Sequence, residues 1–507
     1  MEIAPPPNPR GSTQIESEAP AGHSRLSASM RRVWQGFMQA FKSDGRICWP
    51  LVAIFLIVNG IVFYNAVFHN PRVQYDSTGH LANVRIISTG HLPSATESGE
   101  FFSAPLAYFL PAVLLSTGQF PLVPALKIAQ LLNFLLSLGL TFTLLKIADD
   151  LFAGRVQARL ISLGMLGLLP VYYRTFAFVR GEPYVAFLTL LAIHQSLRIF
   201  GRKKDDWLGV TLLGLTLGLD ILARQWAFFF FPALFLFGAL CVRAERSRFK
   251  AVMVRLGLAS LLALLVGGWF YASLYQRYGT LTAFNHAPGG QLHASQPLSF
   301  YTGLGLSSLF SKPVRPELKN RLFPILYSDV WGDYWGYFLI YVIDGRTGNQ
   351  VAGANFENAV LGPPHAWLLS DYDSFGPYLG EVNLVSILPS LVLVAGIVYG
   401  LGELIKSIRP PAGVQSVEAS WLLSLSLVFA LAGYFWFLIG YSTFNSGGDT
   451  IKASYILQAY PVCALLVANL FEKVSFLRAK EKWLWVLGLV FLNNLPALLT
   501  HFFLPPW

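Results

Sequence analysis

The chain has 507 residues, of which 54% are hydrophobic and 13% are charged, and its formal net charge is +10 at pH 7. An ordinary soluble domain carries about a quarter charged residues, so water is not the main solvent of this protein. The positive charge does not indicate a nucleic-acid partner, because the basic residues gather in short loops between apolar runs, as cytoplasmic loops do. The three cysteines lie in or beside apolar runs, which excludes a disulfide framework or a cysteine zinc site in the polar loops.

Apolar runs long enough to cross a hydrocarbon layer of ~30 Å recur along the chain. They predict an all-α polytopic membrane protein with about eleven (10–13) transmembrane helices. The predicted spans are 47–68, 125–147, 158–174, 183–200, 207–223, 226–242, 251–275, 384–404, 419–441, 454–471 and 483–503. With eleven spans, the basic loops all fall on one side of the membrane. The apolar stretch 101–118 would break this agreement, and it contains Pro105 and Pro111, so we predict a re-entrant or interfacial segment there.

Charge and composition also predict the domain organisation. Residues 1–46 have no sustained apolar run and end in basic residues, which predicts a disordered cytoplasmic tail. An N-terminal transmembrane catalytic module at 47–275, a large outer loop or cap at 276–383 and a C-terminal transmembrane module at 384–507 follow. This topology makes the chain a multi-pass protein of the plasma (inner) membrane with its chemistry on the extracytoplasmic side.

The first outer segment contains a carboxylate and an imidazole at helical spacing. Asp76, His80 and Asn83 fall on one helix face by the i, i+4, i+7 rule. A catalytic carboxylate and a simple helix cap are equally good interpretations of Asp76, because aspartate is a favoured N-cap residue.

Two outer turns and one late segment add charges to the same side. Glu182 lies beside Arg180 and before Pro183, and this pattern fits either a functional acid or a plain helix start. Arg224 and Lys452 fit either phosphate ligands or cations that snorkel to lipid headgroups.

The large outer loop places acids beside aromatic side chains, a mixture suited to binding a sugar or an acceptor. Turns with aromatic membrane anchors explain the same pattern. The residues concerned are Asp329, Trp331, Asp333, Trp335, Asp371 and Asp373, with Tyr455 from the late segment. Motifs for ATP hydrolysis, zinc hydrolysis and serine hydrolysis do not occur in a suitable context.

Taken in order, these motifs resemble those of membrane glycosyltransferases with the GT-C fold, specifically the bacterial relatives of protein O-mannosyltransferases and lipid A aminoarabinose transferases. The resemblance rests on six stretches in register: Tyr75-Asp76, Ser88 to Pro93, Ser103 to Phe109, Arg180 to Pro183, Gly218 to Arg224, and Lys452 to Tyr455 with Pro461. The chain departs from the family where Asp76 is followed by serine instead of a second acid, and where a proline pair is reduced to Ala104-Pro105.

The resemblance implies a GT-C-like bundle that transfers a sugar from a polyprenyl- or dolichyl-phosphate donor to a glycolipid, polysaccharide or protein acceptor. It implies that Asp76 acts as general base with support from His80, and that Glu182 orients the acceptor. Arg180, Arg224 and Lys452 would hold the phosphate. It leaves open whether Asp76 and Glu182 share a divalent metal ion such as Mg²⁺ or Mn²⁺.

The main alternative is a transporter or flippase of a lipid or glycolipid. Transporters place their polar groups near the bilayer midplane, often on broken helices in two related halves. This chain concentrates its acids at one interface and lacks matching halves, so sugar transfer is the favoured prediction.

Overall fold

The structure is a computed structural model. It describes residues 38–43, 45–201, 206–283, 296–315, 317–339, 342–344, 350–351, 368–370, 372–408, 419–440, 450–474 and 481–503. Residues 1–37 of the predicted tail therefore lie outside the described residues.

Helices dominate the described chain. The first half contains α1 Trp49–Phe68, α2 Ser77–Ser88, α3 Leu106–Ser116, α4 Leu122–Leu151, α5 Val156–Gly167, α6 Pro170–Ala177, α7 Glu182–Gly201, α8 Trp207–Ala223, α9 Phe230–Ala244 and α10 Phe249–Tyr278. The second half contains α11 Leu298–Thr302, α12 Leu306–Leu309, α13 Leu322–Trp331, α14 Tyr372–Val385, α15 Ile387–Ile408, α16 Ala419–Gly440, α17 Ala459–Lys473 and α18 Glu481–Leu498. Short 3₁₀ turns cover Gln225–Phe229, Arg246–Arg248 and Ala453–Ile456.

Two small sheets accompany the helices. Strands β1 Lys42–Ser43 and β2 Arg46–Ile47 pair antiparallel just before α1, at the end of the segment 1–46 predicted to be disordered. In the outer loop, β3 Val342–Asp344 lies between β4 Gln350–Val351 and β5 Leu368–Ser370, and both pairings are antiparallel.

The predicted class, an all-α polytopic membrane protein, is confirmed, but the count of eleven spans is not. Each predicted span overlaps one or more helices, yet only seven of the described helices are long and apolar enough to cross a membrane, or eight if one bent pair is a single span. The apolar helices α3 and α8 are shorter than that criterion requires. At 11 residues, α3 agrees with the prediction that 101–118 is not a plain span.

The predicted span at 158–174 is not one straight helix. Helices α5 and α6 meet at a bend of 64°. Pro170 at the first position of α6 explains the break, because proline has no backbone N–H and disfavours helical conformation in the residue before it. The bend leads the chain directly to the turn that contains Arg180 and Glu182.

Polar side chains connect the helices within the apolar core. Asn59 of α1 donates to the Thr141 hydroxyl of α4 at 3.0 Å, and Ser137 donates to the Asn59 Oδ1 at 2.8 Å. The Ser137 hydroxyl also bonds the Tyr172 hydroxyl of α6 at 2.7 Å. Such bonds hold apolar helices together in a medium that offers no other polar partners.

Small residues allow α8 and α10 to pack closely. A Cβ atom at Gly267 would lie 2.4 Å from Ile221 Cγ1 and 2.5 Å from the Gly218 carbonyl oxygen. Tyr271 of α10 donates to the carbonyl of Ile221 at 2.6 Å, two residues before α8 ends at Ala223. This contact therefore sets the position of Arg224.

We predict that Gly267→Ala lowers the free energy of unfolding by about 1–3 kcal/mol, because the added methyl group overpacks the α8–α10 contact. Thermal unfolding in detergent measures the change. Gly257→Ala on the same helix is the matched control, since nothing lies within 4 Å of a Cβ atom there. Equal melting temperatures for the two variants would contradict the prediction.

Candidate active site

Segments that are distant in sequence meet at one end of the bundle. The start of α2 and the segment before the Ala453–Ile456 turn are joined by Asp76 Oδ2 and Lys452 Nζ, which lie 2.6 Å apart. The Asp76 side chain is 37% exposed, whereas that of Lys452 is only 8% exposed. Asp76 is thus the accessible member of a mostly buried ion pair.

The backbone of Asp76 explains how its side chain reaches this position. Asp76 occupies the N-cap position of α2, but its φ of 51° is left-handed and its side chain makes no capping hydrogen bond. Aspartate is among the few residues besides glycine that adopt this conformation readily. The capping interpretation therefore does not account for the carboxylate, which pairs with Lys452 instead.

Aromatic rings surround the cations. Lys452 Nζ lies 5.5 Å from the ring centroid of Tyr75, 5.7 Å from that of Trp335 and 5.6 Å from that of Tyr455. The Arg180 guanidinium lies 5.5 Å from the Tyr75 centroid and 5.7 Å from the Tyr455 centroid. Aromatic faces stabilise cations electrostatically, so these rings help to hold two buried positive charges close together.

Glu182 lies deeper, between two guanidinium groups. Its oxygens accept from Arg180 Nε at 2.7 Å and Arg180 Nη2 at 2.9 Å, and Arg224 Nε lies 3.1 Å from Oε1. All three side chains are buried. Gly181 is required here, because a Cβ atom would lie 2.1 Å from the Ala223 carbonyl oxygen.

A further acid extends this group toward Asp76. Glu100 Oε2 lies 3.6 Å from Arg224 Nη1 and accepts from the Ser103 hydroxyl at 2.6 Å, and Arg224 also bonds that hydroxyl. Arg180 Nη1 is buried without a hydrogen-bond partner among the described residues. The site therefore contains a buried donor that a ligand anion could use.

Three of these side chains could hold a metal ion. One ligand atom from each of Asp76, His80 and Glu100 lies within 4.8 Å of the others. His80 Nδ1 bonds the Tyr108 hydroxyl at 2.6 Å, and its Nε2 is buried with no partner in the described part of the chain. One imidazole nitrogen and two carboxylates are suitable ligands for zinc or manganese. Glu182, which the resemblance paired with Asp76 as a metal ligand, is not in this group.

The surrounding charges shift the pKa values of these groups. Burial raises the pKa of Asp76, but the Lys452 and Arg180 charges outweigh it and hold that pKa well below its ordinary value. Burial, together with the Arg180 and Arg224 charges, lowers the pKa of His80 and keeps its imidazole neutral. Burial raises the pKa of Glu100, against the opposing effect of Arg224. Of the two carboxylates, Asp76 therefore stays ionised to lower pH than Glu100.

Of the predicted sugar-binding residues of the outer loop, Trp335 lies beside Lys452, whereas three others are buried in contacts with the protein itself. Trp335 contacts Lys452 and donates from Nε1 to the Ile451 carbonyl at 3.1 Å. Asp329, Trp331 and Asp333 are at most 2% exposed. The Asp333 oxygens accept from the backbone N–H groups of residues 337, 338 and 339, so this carboxylate stabilises the turn that follows it. Asp371 lies outside the described residues, and Asp373 belongs to α14 without a described side chain.

The structure adds residues that the sequence did not single out. Glu100 and Ser103 reach Arg224, and the ring of Tyr75 contacts three cations. Arg174 is a fourth buried cation, paired with Asp329 at 2.7 Å. Tyr75 and Ser103 lie within the quoted motifs, although neither was predicted to belong to the site. For Glu100, the only available signal was an acid in the first outer segment.

No family model and no curated protein matches the chain. The crystal structure of ArnT from Cupriavidus metallidurans bound to undecaprenyl phosphate matches with a TM-score of 0.45 and 13% identity, over 87% of this chain and 63% of that chain. The Archaeoglobus fulgidus oligosaccharyltransferase, in complex with zinc and sulfate, matches with a TM-score of 0.44 and 13% identity, over 88% of this chain and 53% of that chain.

Apo ArnT from the same bacterium matches with a TM-score of 0.34 and 13% identity, over 82% of this chain and 76% of that chain. These proteins are membrane glycosyltransferases of the GT-C fold, the family that the motif order resembles. The chain spans less than two thirds of the length of the first two proteins.

We predict that Glu182→Gln destabilises the protein by about 3–5 kcal/mol, because it leaves two buried guanidinium groups without their shared counter-ion. Thermal unfolding in detergent is the measurement. Glu97→Gln is the control, since Glu97 is an exposed acid of the first outer segment, between α2 and α3. A Glu182→Gln protein as stable as the control would show that Glu182 is not the counter-ion of Arg180 and Arg224.

Proposed function

We propose that this protein is a membrane glycosyltransferase that moves a sugar from a polyprenyl-phosphate donor to an acceptor hydroxyl on the outer side of the membrane. One observation carries the proposal. The accessible carboxylate of Asp76 lies at the edge of a group of buried cations, which are Lys452, Arg180 and Arg224. Sugar transfer from a phosphate carrier needs this pairing of a base with an anion-binding group.

The cations suit the leaving group of such a reaction. When the bond between the anomeric carbon and the phosphate oxygen breaks, the electron pair stays on the phosphate. Lys452 and Nη1 of Arg180, which has no hydrogen-bond partner among the described residues, supply donors for that charge. Arg224 is already bound to Glu182 and Ser103, so its main effect is to keep the local potential positive.

Asp76 is the proposed base. Its carboxylate accepts the proton of the acceptor hydroxyl as that oxygen attacks the anomeric carbon from the face opposite the phosphate, which inverts the configuration. Glu182 is less suited to proton transfer, because both of its oxygens are bound by guanidinium groups. We assign it the role of holding Arg180 and Arg224, in place of direct contact with the acceptor.

A divalent metal ion would be held by Asp76, His80 and Glu100. The neutral imidazole of His80 supports this ligand set, since its Nε2 has no partner in the part of the chain that the structure describes. When bound, such an ion would supply additional positive charge for a phosphate or a hydroxyl.

We predict that Asp76→Asn lowers the rate of transfer from a labelled polyprenyl-phosphate sugar by about 10²–10⁴-fold, the usual contribution of a general base. The assay uses purified protein in lipid vesicles. Asp150→Asn is the control, because Asp150 is an exposed acid that pairs with His194 away from the site. Full activity of a well-folded Asp76→Asn protein would exclude Asp76 as the base.

We further propose that the site faces away from the cytoplasm. The positive-inside rule supports this orientation, since the 3₁₀ turn Arg246–Arg248 lies at the end of α9 away from Arg224. We expect a cysteine at Thr96 to react with a membrane-impermeant maleimide in intact cells, and one at Ser247 to react only after permeabilisation. Both positions are exposed, and the partly exposed Cys48 is replaced by serine in both proteins. The reverse labelling pattern would contradict the proposed orientation.

A further inference from the structure

Asp329 contacts both segments that carry the Asp76–Lys452 pair. Its Oδ1 accepts from the Tyr75 hydroxyl at 3.0 Å, and its Oδ2 accepts from the backbone N–H of Ala453 at 2.6 Å. Tyr75 directly precedes Asp76, and Ala453 directly follows Lys452. One fully buried carboxylate is thus bonded to the neighbour of each member of the pair.

From these bonds we infer that Asp329 is a positioning residue, which sets the distance between Asp76 and Lys452. This inference rests on the proposed function, because it assigns a role in the arrangement of the proposed base and the phosphate-binding lysine.

Local structure does not hold Asp76 and Lys452 in place. Asp76 has a left-handed backbone and no capping bond, and Lys452 has an extended backbone with φ of −126°. The two residues are 376 positions apart in the chain. Their contact therefore depends on bonds from a third element, and Asp329 on α13 provides them.

Arg174 completes this arrangement. Its Nη2 lies 2.7 Å from Asp329 Oδ1, and its guanidinium also bonds the carbonyl oxygens of Asp329 and Gly332. Arg174 therefore fixes the end of α13 and compensates the charge of Asp329, so that the carboxylate can accept from Tyr75 and Ala453 at once.

These contacts argue against a sugar-binding role for Asp329. Both of its oxygens are occupied by donors of the protein, and the side chain is fully buried. A sugar hydroxyl would have to displace one of these donors to reach it.

Tyr75→Phe tests the inference most cleanly, because it removes the hydroxyl that bonds Asp329 and keeps the ring beside Lys452 and Arg180. Asp329→Asn is the second variant. Tyr173→Phe is the matched control, since it removes a buried hydroxyl that donates to the Gly167 carbonyl at 2.7 Å. Thermal unfolding of each protein in detergent shows that it is folded.

The first readout is the rate of hydrogen–deuterium exchange at the backbone N–H of Ala453, followed by mass spectrometry of the full-length protein after digestion. This N–H donates to Asp329 Oδ2, so if the bonds to Asp329 hold the segment in place, loosening them raises the exchange rate about tenfold, because the segment opens more often. We expect at least this increase for Tyr75→Phe and Asp329→Asn and none for Tyr173→Phe. An unchanged rate in folded Tyr75→Phe protein would overturn the inference.

The second readout is steady-state transfer from the polyprenyl-phosphate sugar. We expect kcat to fall by about 10-fold to 100-fold in both variants with KM for the donor nearly unchanged, as misplacement of reacting groups predicts. A raised KM with unchanged kcat in Asp329→Asn would instead identify Asp329 as a substrate ligand and overturn the inference. The exchange experiment needs no turnover, so an inactive wild-type protein would refute the proposed function and leave the positioning test intact.

Discussion

The need to pair every buried charge governs the organisation of this site. Arg174, Arg180, Arg224 and Lys452 are all almost fully buried, and each has a carboxylate within hydrogen-bonding reach. An unpaired charge at this depth costs several kcal/mol, so the elements that carry these groups must meet for the chain to fold. The ends of α2, α6, α8 and α13 and the segment before α17 are thereby brought to one place.

The carboxylates differ in how completely the protein occupies them. Glu182 and Asp329 accept bonds at both oxygens and are buried, so they hold other groups in place. Asp76 has one strong partner and an exposed remainder. Solvent access and the number of bonded donors therefore separate the carboxylate of Asp76 from those of Glu182 and Asp329.

The sequence predicted the helices and most of the charged groups, because both depend on local signals. Apolar length located α1, α4 and α7, and the motif order singled out Asp76, Glu182, Arg224 and Lys452, which the structure brings together. Local signals could not predict the partners. The bond between Tyr75 and Asp329 joins residues 254 positions apart. Glu100 and Arg224 form an ion pair although they belong to different outer segments. Pro170 indicates a break in the helix before it, but the angle between α5 and α6 depends on packing, which the sequence does not show.

The low pKa of Asp76 also constrains how the proposed reaction gains its rate. A carboxylate held in its ionised form by Lys452 and Arg180 is always ready to accept a proton, but it is a weak base. A general base contributes about 10²–10⁴-fold, so the rest of the acceleration must come from stabilising the departing phosphate. Preorganised buried cations are effective in this role, because they act in a medium of low dielectric constant and need no reorganisation during the reaction. In the proposed reaction the Lys452 ammonium that lowers the pKa of Asp76 would also donate to the leaving phosphate, so one buried cation would act on both groups.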